Sequence, residues 1–188
     1  MRWFRTGLFI AAVSAFVLIN CGFSWKWPWQ KEMVAVEKNL AEWSPQAKDY
    51  AVFDLQNNEG YLFHISSGAY LKFPIISGRQ DYVYNLGRVY WGETPLREWE
   101  VKSTHLQPDR WDYGQDGFFL RLYFQNQFTH YGIHTHTAAK TMFKKQNRYQ
   151  SYGCIIVKEE ILELLNQTYL LNNQSLKVVT TDNIAEYP

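Results

Sequence analysis

Apolar residues along this 188-residue chain follow two different periods. Met33, Val36, Leu40 and Trp43 recur at helical spacing, which predicts one amphipathic helix over residues 31–43, ending before Pro45. From Tyr50 onward the pattern shortens to strand-like runs. Ala51–Leu55 and Gly60–Ile65 flank the turn-forming stretch Gln56–Glu59, a hairpin signal. Tyr70–Ile76 reads as a third strand, stopped at Ser77-Gly78, and a polar and aromatic loop leads on to Glu93-Thr94-Pro95. Trp99–Ser103, Gly117–Phe124 and Phe128–Thr137 continue the series, followed by Ile155–Val157. The one long helical pattern is Lys158–Asn172, with Ile161, Leu162, Leu164, Leu165 and Leu171 apolar; Leu176–Thr180 closes as a strand. Many short strands with one helix predict a mainly β domain, a β-sandwich or barrel.

The first residues are of another kind. Arg2 and Arg5 precede an apolar run from Gly7 to Phe23, and no charge follows until Lys26. That order is the basic and apolar part of an export signal. Trp3 and Phe4 on one side, with Trp25, Trp27 and Trp29 on the other, are placed as interfacial aromatic belts, so residues 6–24 also suit a retained span. Residues 1–24 are therefore read as a signal peptide or a signal anchor, 25–48 as a linker with a short amphipathic helix, and 49–183 as the folded domain. The expected location is outside the cytoplasm, in the periplasm or cell envelope, tethered to the inner membrane. Charge changes little: 19 Lys+Arg oppose 18 Asp+Glu, and the densest basic stretch, Lys144–Arg148, reads as a solvated loop, so nucleic acid is not an expected partner.

Export alters the meaning of the two cysteines. With Cys21 in the membrane, lipidated or removed, Cys154 has no intramolecular partner, and an odd cysteine in an exported domain points to an intermolecular bridge or a functional thiol. It stands in Ser151-Tyr152-Gly153-Cys154-Ile155-Ile156, downstream of His134-Thr135-His136. On a strand both histidines face one side. Such a pair suits zinc, completed by His130 or Cys154, although no carboxylate is near in sequence; it also suits inert sheet histidines. A thiol site asks for a nucleophile, a base and an oxyanion donor. An adjacent imidazole favours the thiolate, Gly153 permits a tight turn, and the Gly153-Cys154 amides can face an oxyanion.

These residues resemble the signature of the L,D-transpeptidase (YkuD-type) catalytic domain of bacterial cell-wall enzymes: a strand-end histidine, a loop, then Ser-His-Gly-Cys and an aliphatic residue. The resemblance runs over about residues 50–182. Phe73–Gly78 is similar to the family's strand ending in Ser-Thr-Gly, and Gly92–Pro95 with Trp99-Glu-Val to its Thr-Pro stretch. It implies an L,D-transpeptidase-like β fold with one long helix after the nucleophile. It implies Cys154 as nucleophile and, since the shorter separation (154 − 136 = 18, against 154 − 134 = 20) suits the family, His136 as base with His134 second. Ser151, Tyr152, Gly153 and His134 are expected to line or bind substrate. No metal and no organic cofactor is required. The implied substrates are peptidoglycan stem peptides, attacked to give a thioester that passes to a second stem peptide, a wall-attached protein or water; a weakened wall-peptide binder is the rival reading. Three positions depart from the pattern: Tyr152 for His or Arg, Ile156 for Arg or Asn, and Arg97-Glu98 for a small turn residue.

Overall fold

Residues 35–49 add a strand to the domain's edge rather than forming the predicted helix. The computed structural model describes residues 35–85 and 87–187; the signal or anchor read over 1–24, its membrane span at 6–24, and the start of the expected 31–43 helix lie outside the described residues. Over 36–38 the chain is a strand, β1 (Val36–Lys38), and Leu40–Glu42 make one 3-10 turn capped by the Asn39 side chain. The reason is burial. Val36 and Leu40 stay exposed, so a helix here has no apolar face to cover, and of its four predicted apolar positions only Trp43 is seen to bury. The backbone instead pairs with the open edge of the sheet. Among the described residues no helix is long and apolar enough to cross a membrane.

The next strands are β2 (Tyr50–Asp54), β3 (Glu59–Phe63), β4 (Ala69–Pro74), β5 (Ser77–Gly78), β6 (Tyr82–Asn85), β7 (Arg88–Trp91), β8 (Arg97–Leu106), β9 (Phe118–Phe124) and β10 (Gln127–His134). After a one-turn helix, α1 (Ala139–Met142), come β11 (Tyr149–Ser151), β12 (Ile155–Ile156), α2 (Glu159–Leu171) and β13 (Leu176–Thr181). Instead of two facing sheets, nine strands join in one mixed sheet, ordered β1-β4-β3-β2-β13-β8-β9-β10-β12. Pairs β1/β4, β2/β13 and β10/β12 are parallel, the others antiparallel. Two small sheets, β5/β11 and the β6/β7 hairpin, stand beside it. That hairpin is the stretch the sequence pattern presented as a loop.

Helix α2 covers the core. Ile161, Leu162, Leu165 and Tyr169, three and four residues apart, are buried and form one face, packed with Leu120, Leu122, Ile133, Ile155, Leu176 and Val178 from the sheet. Glu159 and Glu160 in its first turn complement the helix dipole, and Asn173 takes the left-handed conformation just beyond its end. A smaller cluster of Ile76, Met142 and Ile156 lies under the cleft described next. Ile156, where the family pattern has a polar residue, is 2% exposed and bonded through its backbone in both directions to Ile76. Its side chain is structural floor.

Candidate active site

The Ser151–Cys154 turn is held from both sides. Within it, the Ser151 hydroxyl donates to the Cys154 carbonyl and accepts the Gly153 amide at 3.1 Å. From outside, the buried Thr94 hydroxyl donates to the Gly153 carbonyl (2.9 Å) while accepting the Gly78 amide (3.0 Å). Tyr90 donates to the Tyr152 carbonyl at 3.0 Å. Gly153 has φ +112°, and a Cβ there would come within 2.7 Å of the Tyr131 ring, so only glycine fits. Three separate fragments, Gly78, Thr94 and Gly153, are thus joined by one hydroxyl.

Strand pairing sets Cys154 and the histidines on one cleft, with the Cys154 thiol donating to the His130 carbonyl at 3.9 Å. Ile133 pairs with Ile155 and His134 with Ile156 in parallel register, while Ile133 and Ile155 point into the core. Alternation leaves His134, Ile156 and, one step before the strand, Cys154 on the opposite face. The two histidines differ sharply in what their rings have free. The Nδ1 of buried His134 lies 2.6 Å from the Thr135 carbonyl; a carbonyl only accepts, so Nδ1 carries the proton and Nε2 keeps its lone pair. In His136, Nδ1 accepts the Ala138 amide at 2.9 Å, so the neutral ring carries its proton on Nε2, which faces the Asp112 carboxylate at 3.6 Å. No amide donates to His134 Nε2 among the bonds described, whereas His136 Nδ1 is taken by the Ala138 amide.

The ionisation of this pair is set by burial. His134 packs against Phe119 (5.6 Å between centroids) and Tyr113 (4.8 Å), and desolvation, helped by His136, draws it down to about 4, opposed by backbone bonds to Thr135 and Asp112. Cys154 is half-buried; desolvation again leads and pushes its thiol up to about 11, with the Gly132 backbone and the Arg121 charge pulling the other way. Neither imidazole is among these influences, so the expected lowering of this thiol by a neighbouring imidazole is not seen. Both residues open onto a cleft of about 380 Å³, lined also by Arg79, Arg88, Tyr90, Trp111, Tyr152 and Met142. Among the described residues no group of three or more His, Cys, Asp or Glu side chains is arranged to hold a metal ion.

The model of the L,D-transpeptidase catalytic domain, YkuD, matches residues 48–179. The chain belongs to the YkuD family. In the domain's terms, the solved structures it resembles include an L,D-transpeptidase from Xylanimonas cellulosilytica at 17% identity and TM-score 0.49, covering 73% of this chain and 62% of that one. Bd1075 from Bdellovibrio bacteriovorus is similar at 13% identity and TM-score 0.49, covering 73% and 49%. An L,D-transpeptidase from Stackebrandtia nassauensis is similar at 15% and 0.45, covering 77% and 63%. The chain spans less than two thirds of each of these structures. No curated protein matches it.

Within this YkuD domain, the residues singled out in the sequence meet in one place: His134, His136, Ser151, Tyr152 and Cys154 all line the cleft. Gly153 lies beneath, and its amide is already given to Ser151. Sequence reasoning did not assign Thr94 or Thr135 a role. Thr94 was present in the Thr-Pro stretch that carried the resemblance; the Thr135 contribution is a backbone carbonyl, which leaves no mark in sequence.

Proposed function

We propose that the domain is a cysteine-dependent acyltransferase acting on peptidoglycan stem peptides. One observation carries the reading: a thiol and an imidazole with a free Nε2 share one face and one cleft of a YkuD domain. Cys154 Sγ attacks the carbonyl joining an L-centre to a terminal D-residue. His134 Nε2 accepts the thiol proton and returns it to the leaving amine as the C–N bond breaks, giving a thioester. His134 takes the base role first expected of His136, because the free lone pair is on His134; His136 holds the rim through Asp112 and Ala138. With the Gly153 amide engaged by Ser151, the Cys154 amide is the donor left for the oxyanion. An amine acceptor, from a second stem peptide or a wall-attached protein, completes transpeptidation; water gives L,D-carboxypeptidase action.

We extend the proposal to location: the basic start and apolar run of residues 2–23 support export and tethering of this domain at the inner membrane, facing the wall. Protease protection in spheroplasts tests this, since a domain shielded inside intact spheroplasts refutes it.

A rival reading, a wall-peptide binder with an idle thiol, is favoured by the thiol held at about 11. Incubation with a disaccharide tetrapeptide separates the two by intact-mass spectrometry. The enzyme shows a thioester adduct and shortened or cross-linked product, both lost in Cys154→Ala; absence of an adduct together with unchanged processing in the variant refutes the nucleophile.

A further inference from the structure

The cleft carries more positive charge than the proposed chemistry uses. Arg79, Arg88 and Lys145 line it, against one carboxylate, Asp112, which already faces His136. Among the described residues none of these three cations has a carboxylate partner. Unpaired cations in a cleft walled by Tyr90, Trp111 and Tyr152 focus a positive field, because the walls have a low dielectric constant and exclude water.

The two arginines are also positioned. The Arg79 amide donates to the Ser151 carbonyl (3.0 Å) and its Nε to the Gln150 carbonyl (3.3 Å), and its guanidinium lies 5.2 Å from the Tyr152 ring centroid. It is therefore braced on the residues that lead into Cys154. With Nε engaged, the terminal nitrogens of the fork are the ones left to meet a ligand. Arg88, on the hairpin, lies 5.8 Å from the Tyr90 ring, and Tyr90 in turn donates to the Tyr152 carbonyl. Tyr152 is the hub: it replaces a basic or imidazole side chain of the family pattern, and its ring carries the Arg79 charge in that side chain's stead.

We propose that Arg79 braced on Tyr152, with Arg88 and Lys145 across the cleft, is a carboxylate-binding subsite that selects acyl donors bearing free carboxylates over the same peptides amidated. It rests on the stem-peptide reading above and names the donor chemistry. A planar guanidinium matches a carboxylate through two parallel hydrogen bonds, and an amide, neutral and half donor, loses both the charge and one of those bonds.

Two measurements on the full chain separate this inference from the reaction it rests on. The first is alkylation of Cys154 by iodoacetate and by iodoacetamide, followed on the Cys154 peptide by mass spectrometry so that Cys21 does not enter. The iodoacetate-to-iodoacetamide rate ratio is expected to fall about tenfold in the Arg79→Gln/Arg88→Gln double variant and to recover with Arg79→Lys/Arg88→Lys. The second is kcat/KM for a stem tetrapeptide and its amidated form. The acid form is expected to lead by about tenfold for each arginine, the lead vanishing in the double Gln variant and shrinking in Tyr152→Ala but not in Tyr152→Phe. An alkylation ratio unmoved by removing the arginines overturns the subsite, as does equal use of acid and amidated donors. Charge-dependent alkylation without turnover of either peptide leaves the anion site standing and overturns the reaction assigned to it.

Discussion

Acid should destabilise this domain most strongly through His134. Its ring is 5% exposed, wedged between Phe119 and Tyr113, and held down from an ordinary 6.5 to about 4. Above pH 6.5 the ring is neutral in both folded and unfolded chains and costs nothing. Below 6.5 the unfolded chain takes up a proton that the folded one refuses, so stability falls as pH drops toward 4. At 1.36 kcal/mol per pH unit, the full loss is about 3 kcal/mol, of which about 2.4 kcal/mol is expressed between pH 7 and 4.5. Asp49 and Glu159, both raised by burial, act in the opposite sense, while His105 and His130, lowered by desolvation, add to it. The comparison must therefore be with His134→Phe, which keeps an aromatic ring in the slot and shares every other titrating group. Loss of the bond to Thr135 shifts the variant's stability by a constant, and only the pH slope is read. Denaturant unfolding of the full chain, followed by tryptophan fluorescence at half-unit steps from pH 7 to 4.5, gives that slope for each protein. The wild type should lose about 2 kcal/mol more than the variant across this range. Parallel curves, agreeing within about 0.5 kcal/mol, refute a buried neutral imidazole at this position.

Three shorter tests bear on the site. Thr94→Val should cost about 2–4 kcal/mol in denaturant unfolding, since it strands the buried Gly78 amide and Gly153 carbonyl, while Thr94→Ser should recover most of it; equal stability of the valine and serine variants sinks the bridging role. The Cys154 alkylation rate should keep climbing through pH 9 and 10 without levelling, as a thiol at about 11 requires; a plateau reached below pH 8 contradicts it. Under the proposed chemistry, His134→Gln should lower kcat by about a hundredfold or more and His136→Gln by less than about tenfold, with the reverse order returning the base role to His136.

Where a local pattern had a partner to bury against, the sequence announced it. The Gln56–Glu59 turn, helix α2 and strand β13 follow from apolar period and turn chemistry, because each packs the face that its pattern displays. Residues 31–43 show the converse: a helical period predicts a helix only when something covers it, and Val36 and Leu40 are uncovered. The β6/β7 hairpin stayed hidden because Tyr82, Tyr84, Val89 and Trp91 are exposed on one face while Val83 and Tyr90 turn inward, so aromatic residues fill both faces and the alternation of apolar with polar disappears. At the site, residue types were legible and proton positions were not. Spacing alone made His134 and His136 near equals; their difference lies in which ring nitrogen meets a carbonyl and which meets an amide, and both partners are backbone atoms common to every residue.

Under the proposed chemistry, the same burial that keeps His134 neutral also decides when the thiol can react. With the thiol held up to about 11 and the imidazole down to about 4, the thiolate–imidazolium pair is the disfavoured form. The resting pair is neutral thiol and neutral imidazole. Sulfur then gains nucleophilicity only as its proton leaves, and leaving is favourable only when the new charge passes at once to a carbonyl oxygen held by the Cys154 amide. Such a site stays quiet toward stray electrophiles and responds to a substrate that fills the cleft. It follows that a thiol probe and an acyl donor should report different cysteines: sluggish toward the small reagent at neutral pH, competent toward the bound peptide. Fast alkylation at neutral pH by a small neutral reagent, with no gain from a bound donor, breaks that chain of reasoning at its first step.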